Sequence, residues 1–195
     1  MTPTPIDRPR VEAAVRELLR AIGEDVDRPG LESTPRRVAD AYAEFFSGLL
    51  IDAADLVRRS TVPAESHQLG EVVIVRDISF RSVCEHHLLP FVGVAHVAYV
   101  PGETIVGLGT LPRVVDAVAS RPQLQERLGE EIADALDQGA APRGVLVVLD
   151  AAHGCVTTRG PRQTGSTTVT LASRGALADP TVRAEAISLI GSTRV

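Results

Sequence analysis

Apolar residues recur at helical spacing in two segments near the start of the chain. The first predicts an amphipathic helix over residues 10–23, which Gly23 would end. Its apolar face consists of Val11, Val15, Leu18, Leu19 and Ile22. A second helix is predicted from Thr34, a suitable N-cap, with Pro35 in its first turn. Residues 1–10, which contain three prolines and few apolar side chains, are expected to form a mobile tail.

The pattern changes to that of β-strands after residue 70. β-Branched residues predict strands over 71–80 and 92–100. Helical periodicity then returns, first over 111–120 and then in a longer helix whose apolar face is Leu124, Leu128, Ile132 and Leu136. The remaining predicted elements are strands over 144–150 and 166–172 and a terminal helix over 180–190. The order ββααββ predicts an α+β fold, in which helices pack on one face of an antiparallel sheet.

Length and composition favour one main domain. The chain has 195 residues, of which 44% are apolar, enough for one good core. We expect a tail and helical extension over residues 1–60 and the main domain over residues 61–195. A net charge of −5 without a basic stripe argues against nucleic acid or a membrane surface as partner. The chain has no apolar run of bilayer length and no signal peptide pattern, so we expect a cytoplasmic protein.

Two short stretches carry candidate chemistry. The first is V-C-E-H-H-L-L-P-F, with Cys84 and His87 three apart in a predicted turn, where they could converge. The second is D-A-A-H-G-C-V-T-T-R-G. In an extended chain, residues two apart lie on one side roughly 6.5–7 Å apart, so His153 and Cys155 would share a face. Thiolates and imidazoles of this kind bind Zn²⁺.

Other interpretations of these residues remain open at this point. Cys84 and Cys155 are the two cysteines of the chain, which leaves a single bridge, two buried thiols or a metal site. A lone cysteine is often simply buried, and a lone histidine is often hydrogen-bonded. Both cysteines lie within three residues of a histidine, which favours the metal site. A catalytic zinc keeps three protein ligands, so two of the three histidines would be free for proton transfer.

Three segments together resemble one known family. S-V-C-E-H-H-L-L-P-F, R-P-Q-L-Q-E-R-L and H-G-C-V-T-T-R-G, in this order and at these separations, resemble GTP cyclohydrolase I, and the resemblance extends from about residue 34 to about residue 190. It implies a tunnelling fold and a homodecamer of two stacked pentamers with active sites shared between subunits. The implied reaction opens the imidazole ring of GTP, releases formate and forms 7,8-dihydroneopterin triphosphate.

The resemblance also implies roles for individual residues. The zinc ligands would be Cys84, His87 and Cys155. The zinc-bound water would attack C8 of the guanine, with the remaining histidines, His86 and His153, as catalytic groups. His153 would transfer protons at the imidazole ring, and His86 would act where the ribose rearranges.

The same resemblance implies a guanine site and a phosphate site. Gln125 and Glu126 would both be substrate-binding residues, and Glu126 would accept hydrogen bonds from the guanine N1–H and 2-amino groups. Such a carboxylate would reject adenine, which would leave it buried and unpaired. The basic positions of the triphosphate site that match the family are Arg37, Arg113 and Arg159, with Arg162 as a further candidate.

Several positions of the expected phosphate site depart from the family's pattern. Residues usually basic or hydroxyl-bearing there are replaced by Asp40, Gly109, Thr110 and Thr167, and Pro112 and Pro161 are also unusual. All twenty basic residues of this chain are arginines, so avoidance of lysine alone would have placed arginine at these positions.

The departures raise two alternatives. One is an enzyme acting on a less phosphorylated guanine nucleotide or nucleoside, or stopping at the formamidopyrimidine. The other is a non-catalytic subunit that binds a pterin or has a regulatory role, against which the complete set of Cys and His donors argues.

Overall fold

The computed structural model describes residues 5–68 and 70–191. The helices of these residues are α1 (Arg8–Ala21), α2 (Thr34–Phe45), α3 (Ala53–Arg58), α4 (Thr110–Ala119), α5 (Gln125–Ala140), the single turn α6 (Gly154–Thr157) and α7 (Pro180–Gly191). The strands are β1 (Thr61–Pro63), β2 (Val73–Cys84), β3 (Pro90–Val100), β4 (Thr104–Val106), β5 (Pro122–Gln123), β6 (Gly144–His153) and β7 (Thr168–Gly175). The predicted order ββααββ is present as β2, β3, α4, α5, β6 and β7.

A five-stranded sheet forms the framework of the molecule, in the order β5-β2-β3-β6-β7. The four long strands are antiparallel to one another, and the two-residue strand β5 runs parallel to the end of β2. Phe91, near the start of β3, pairs with His153 at the end of β6, and Cys84 pairs with Gln123 of β5. This register gathers the chemically distinctive segments at one end of the sheet.

The main core lies between the sheet and the helices α4 and α5, and α3 packs on these two helices. Alternate residues of β3 and β6 enter this core, including Val97, Tyr99 and Val147, and the helices contribute Val114, Leu128 and Ile132 among others. Fully burying a side chain of this size contributes about 1.5–3 kcal/mol, so this layer stabilises the fold most. The intervening residues face the other side, where α7 covers only one end of the sheet.

The first helix begins earlier than predicted. Asp7 caps α1 by accepting a hydrogen bond from the Arg10 amide at 3.1 Å, and Pro9 lies in the first turn. The prediction of a mobile tail is therefore wrong for residues 8–10, and residues 1–4 lie outside the described chain. The end of the helix agrees with the prediction, because Gly23, with a φ of +87°, adopts the left-handed conformation that follows many helices.

The second helix also has a different cap. Ser33, rather than Thr34, precedes the first helical residue of α2, and its side chain makes no capping hydrogen bond. The Thr34 hydroxyl instead donates to the Gly30 carbonyl at 3.4 Å.

Sequence periodicity missed the shortest elements, namely α3, β5 and the pair β1–β4. Six residues are too few to show a helical repeat, and α3 is held by its contacts with α5. Val57 of α3 is fully buried in the main core. The division of the chain at residues 60 and 61 stays a prediction. Among the described residues, no helix combines the length and apolar character needed to cross a bilayer.

Candidate metal centre

The turn between β2 and β3 folds Cys84 and His87 towards each other. Cys84 is the last residue of β2, and its carbonyl accepts hydrogen bonds from the amides of His87 at 3.4 Å and Leu88 at 2.8 Å. Leu88 has a φ of +52°, which lets the chain reverse before β3 begins. The predicted convergence of Cys84 and His87 is thus produced by a tight turn stabilised by backbone hydrogen bonds.

Cys155 reaches the same place by a different path from the one predicted. Strand β6 ends at His153, and residues 154–157 form the helical turn α6, so the extended geometry predicted for His153 and Cys155 is wrong. Gly154 passes so close to β3 that a Cβ atom would lie 2.7 Å from the Pro90 carbonyl oxygen. This close approach brings α6 against the turn that holds Cys84 and His87.

The Cys84, His87 and Cys155 side chains form a cluster that could hold a metal ion. Their donor atoms all lie within 4.8 Å of one another, near enough for a single metal ion to be shared by all three side chains. Both cysteines are free, which excludes a disulfide between them in this structure. Cys84 is buried and His87 is exposed, so the cluster is open on one side. Two thiols and an imidazole with an open fourth side fit a catalytic zinc.

The surroundings of Cys155 disfavour its charged thiolate form when no cation is bound. Burial is the main factor that raises the pKa of the Cys155 thiol above its ordinary value, and the neighbouring Cys84 raises it further. Arg159 lies near enough to oppose this increase. A bound cation would deprotonate coordinating thiols outright, which compensates for the burial of their charge.

The remaining histidines of the two stretches lie outside the cluster. His153 stacks on Phe91 with a centroid separation of 4.7 Å and an angle of 4° between the rings, and its Nε2 lies 2.7 Å from Gln125 Oε1. Burial lowers the pKa of His153, and the charge of Glu126 opposes this shift. His86 is exposed and lies edge-to-face with His87 at 6.3 Å.

The first two residues of α5 have opposite environments. Gln125 is only 1% exposed, and its amide is hydrogen-bonded inside the protein. Glu126 is exposed in the first turn of the helix, where the helix dipole favours a carboxylate. Of this pair, Glu126 is therefore the side chain accessible to a ligand.

The arginines expected to contact phosphates are exposed but dispersed. Arg37 lies on α2, Arg113 on α4 and Arg159 just after α6. No hydrogen bond or ion pair between described residues joins Arg37 or Arg113 to the Cys-His-Cys cluster. Arg159 is close enough to affect a cluster residue, Cys155.

The positions that depart from the expected pattern differ in exposure. Thr110 is the first residue of α4 and only 6% exposed, with Gly109 before it at the N-cap. Asp40 forms an exposed ion pair with Arg8 at 3.4 Å. Thr167, Pro112 and Pro161 are exposed. Pro112 lies in the first turn of α4, where a missing backbone N–H is tolerated.

A polar network that sequence reasoning missed braces the ligand turn. The Glu85 carboxylate forms an ion pair with Arg127 of α5, and the Arg127 Nε donates to Gln123 Oε1 at 3.0 Å. The Gln123 amide donates in turn to Glu131 at 2.8 Å, and the Glu85 amide donates to the Gln123 carbonyl at 3.1 Å. The Arg127 guanidinium lowers the pKa of Glu85. The partners lie up to 42 residues apart, so only the fold reveals the network.

The fold and the cluster together define an α+β protein with a Cys-His-Cys donor set that could hold a metal ion. The sequence profile of the family described as GTP cyclohydrolase I matches residues 11–191. The chain is 66% identical over 189 residues to GTP cyclohydrolase 1 of Leifsonia xyli subsp. xyli, covering 96% of this chain and 97% of that protein. Proteins of the same name from Caldanaerobacter subterraneus subsp. tengcongensis and Streptomyces griseus subsp. griseus are 51% and 53% identical. These two matches cover 97% and 94% of this chain and 100% and 90% of those proteins.

The chain therefore belongs to the GTP cyclohydrolase I family. The family has the tunnelling fold, and the α+β sheet with its ββααββ order agrees with the fold class predicted from the sequence.

Proposed function

We propose that this protein is a zinc-dependent hydrolase that opens the imidazole ring of GTP, releases formate and forms 7,8-dihydroneopterin triphosphate. The observation that carries the proposal is the convergence of Cys84, His87 and Cys155 within 4.8 Å, in a chain that belongs to this family. These three residues would hold the zinc ion, whose chemistry is to lower the pKa of a bound water so that hydroxide is available near neutral pH.

His153 and His86 supply the proton-transfer groups of the proposed site. His153 is held by Phe91 and Gln125, and its lowered pKa keeps the ring neutral and able to accept a proton near neutral pH. We assign to it the transfer of protons at the imidazole ring of the guanine. His86 is exposed beside His87 and is assigned to the later rearrangement of the ribose.

Glu126 is the residue proposed to recognise the guanine base through hydrogen bonds. It is exposed, follows the buried Gln125, and its charge acts on His153. A carboxylate there can accept two hydrogen bonds from the guanine N1–H and 2-amino groups. Arg37, Arg113 and Arg159 are the proposed contacts of the triphosphate, because guanidinium groups bind phosphate oxygens in bidentate fashion.

Self-association is part of the proposal, and the sheet supports it. On the side opposite α4 and α5, Val92, Val169 and Leu171 are 54%, 56% and 49% exposed. Within the described residues, β7 has a neighbouring strand on one side only, and such an edge pairs readily with another chain. We propose a homodecamer of two pentamers with active sites at subunit interfaces, which would also bring the dispersed Arg37 and Arg113 to a shared site.

The proposed setting is cytoplasmic, with residues 61–195 as the catalytic domain and residues 1–60 as its extension. Neither nucleic acid nor a membrane is a proposed partner, in keeping with the net charge of −5.

The test is formate release from GTP, GDP, GMP and guanosine in parallel by the zinc-loaded protein. The organic product is identified by its mass and by its fluorescence after oxidation. A clear preference for GTP with a neopterin triphosphate product supports the proposal. Absence of formate from all four compounds by metal-loaded protein contradicts it and favours the non-catalytic, pterin-binding or regulatory subunit.

A second candidate is an enzyme for a less phosphorylated guanine nucleotide or nucleoside, or one that stops at the formamidopyrimidine. It is favoured by Thr110, Thr167 and Asp40 at positions expected to be cationic, since each charge-assisted hydrogen bond to phosphate is worth about 1.5–3 kcal/mol. Asp40 moreover places a carboxylate at a position where a phosphate contact was expected, and this carboxylate forms an ion pair with Arg8. In the same assay, faster release of formate from GMP or guanosine than from GTP, or a formamide product, supports this candidate.

A further inference from the structure

Gln125 has every polar atom of its side chain committed inside the protein. Its Nε2 lies 3.2 Å from the Leu149 carbonyl oxygen, 2.8 Å from the Thr168 carbonyl oxygen and 3.2 Å from the Thr170 hydroxyl. Its Oε1 lies 2.7 Å from His153 Nε2. The side chain is 1% exposed, so it has no remaining polar atom with which to contact a nucleotide.

The surroundings of Gln125 determine which way its amide points. A reversed amide would place Oε1 against the Leu149 and Thr168 carbonyl oxygens, which only accept hydrogen bonds. In that orientation the two carbonyl oxygens and Oε1 would be buried acceptors without donors. Each unpaired group would destabilise the folded protein by roughly 1–3 kcal/mol. The amide oxygen therefore faces His153, and because an amide oxygen only accepts, His153 Nε2 must carry the hydrogen.

We propose that Gln125 is a positioning residue that keeps a proton on Nε2 of His153 and leaves Nδ1 as the atom through which this ring gains or loses protons. The Nε2 hydrogen is present in both the neutral ring and the imidazolium, so the assignment holds in either charge state. The position of the proton on Nε2 does not depend on the proposed function, and only the use of Nδ1 in the reaction rests on that function.

Phe91 supplies the second constraint on the ring. Phe91 is 1% exposed and pairs with His153 across β3 and β6, and the two rings are parallel within 4°. Stacking fixes the plane of the imidazole, and the bond to Gln125 fixes its rotation within that plane. Together they aim Nδ1 in one direction, which is the kind of preorganisation that proton transfer requires.

The proposal divides the work of two adjacent residues at the start of α5. Gln125 points inwards and orients a catalytic histidine, and Glu126 points outwards, where a substrate can reach it. This role of Gln125 differs from the one that the family resemblance implies, in which Gln125 and Glu126 both bind the substrate.

The direct test is solid-state nitrogen NMR of the sedimented, zinc-loaded full-length protein labelled with ¹⁵N-histidine. A spectrum of His153→Gln identifies the His153 signals. The wild type is expected to show a protonated Nε2 and an unprotonated Nδ1. A wild-type His153 with its proton on Nδ1 overturns the proposal, whether or not the protein turns over GTP.

Two variants of Gln125 test the cause of the tautomer. Gln125→Met, similar in size but without an acceptor, is expected to give a mixture of the two tautomers. Gln125→Glu retains an acceptor and is expected to keep the Nε2 proton, although its second oxygen faces carbonyl groups and lowers thermal stability. An unchanged single tautomer in Gln125→Met overturns the proposal.

Steady-state kinetics separate positioning from substrate contact. In Gln125→Met, a fraction of the protein would carry the His153 proton on Nδ1, where it blocks proton transfer. The kcat of this variant is therefore expected to fall on the order of 10²-fold, while its KM changes little because no substrate contact is lost. Thr170→Val, which removes one of three acceptors of the Gln125 amide, is the matched control and should retain kcat and tautomer. A raised KM with unchanged kcat in Gln125→Met would instead show that Gln125 contacts the substrate.

Discussion

At the scale of single residues, the same side-chain types do different work according to burial. Cys84 is buried and Cys155 half-buried, yet both turn their sulfur atoms to one point with His87. His153, only two residues before Cys155, lies outside the cluster and is held by stacking and a hydrogen bond. The chemical types were readable from the sequence, whereas the direction of each side chain decides that His87, and not His153, lies with the two cysteines.

Cys155→Ala and His153→Ala should separate metal binding from proton transfer. Cys155→Ala removes one of three soft donors and is expected to lose the bound zinc together with all ring opening. His153→Ala should keep most of the zinc, while turnover falls on the order of 10²–10⁴-fold, as for loss of a general acid–base group. Metal analysis of the purified proteins and formate release measure the two effects. Retained activity in metal-free Cys155→Ala would rule out the proposed metal site.

His96 is expected to make stability depend on pH. Burial lowers the pKa of His96, opposed by the carboxylates of Asp77 and Asp150 and assisted by Arg76. Its Nδ1 accepts a hydrogen bond from the Asp77 amide at 3.1 Å, which also favours the unprotonated ring. Because the folded pKa lies below the unfolded value of about 6.5, the unfolded state binds more protons, and stability falls as the pH drops below about 6.5.

The comparison that tests this pH dependence uses His96→Asn, whose amide oxygen can still accept from the Asp77 amide but does not titrate. Thermal unfolding is followed at about pH 7.5 and about pH 5.5. The wild type should lose more thermal stability between the two values than the variant. Equal losses of thermal stability in the wild type and in His96→Asn would show that carboxylates, and not His96, cause the pH dependence.

At the scale of secondary-structure elements, periodicity identified every long helix and strand of the ββααββ unit. Their ends were less accurate, since β2 continues to Cys84 and β6 to His153. Both extensions arise because neighbouring strands continue the hydrogen bonding there, which a single strand's sequence does not reveal. The turn α6 was predicted as extended chain because a four-residue helix has no periodic signal.

Helix α5 contains two glycines that make a matched pair of tests. A Cβ at Gly139 would lie 2.5 Å from the Val57 Cβ and 2.7 Å from the Ala54 carbonyl, because α3 crosses α5 at this point. A Cβ at Gly129 would meet its nearest neighbours at 3.6 Å, an ordinary contact. Gly139→Ala is therefore expected to destabilise by about 1–3 kcal/mol. Gly129→Ala should instead stabilise by roughly 0.5–1 kcal/mol through helix propensity.

Urea or thermal unfolding of the two alanine variants measures these effects. A destabilised Gly129→Ala together with an unaffected Gly139→Ala would contradict the packing of α3 on α5. Loss of stability in both would point to a general intolerance of α5 to added volume.

At the scale of the whole molecule, the sheet has one face covered by α4 and α5 and one face covered only in part. The partly covered face carries apolar residues of β2, β3, β6 and β7, and the outer strand β7 has an open edge among the described residues. Exposed apolar surface beside an open edge is typical of a protein that associates. Activity and assembly are expected to depend on each other, because the proposed phosphate contacts are dispersed within one chain.

Leu171→Asp should weaken the assembly. The side chain is half exposed on the open face of β7, and a carboxylate there would be costly to bury between subunits. Light scattering coupled to gel filtration is expected to give a mass of several times 20.7 kDa for the wild type and a smaller mass for the variant. Val62→Asp, an equally exposed apolar position on the small β1–β4 sheet, is the control and should keep the wild-type mass. An unchanged mass in Leu171→Asp would place the interface elsewhere.

The sequence by itself determined the fold class, the order of the main elements and the chemical types of the site, because periodicity and donor chemistry are local properties. Its resemblance to the family also pointed to Cys84, His87 and Cys155 as the candidate metal site. Only the tertiary structure decided how they meet: the left-handed turn at Leu88, the helical turn at Cys155 and the close pass of Gly154 against β3. It also decided that Gln125 faces inwards to His153, and that Arg127 braces Glu85. These contacts join residues 28 and 42 positions apart, and such long-range contacts depend on how the sheet and α5 pack, which no local pattern encodes.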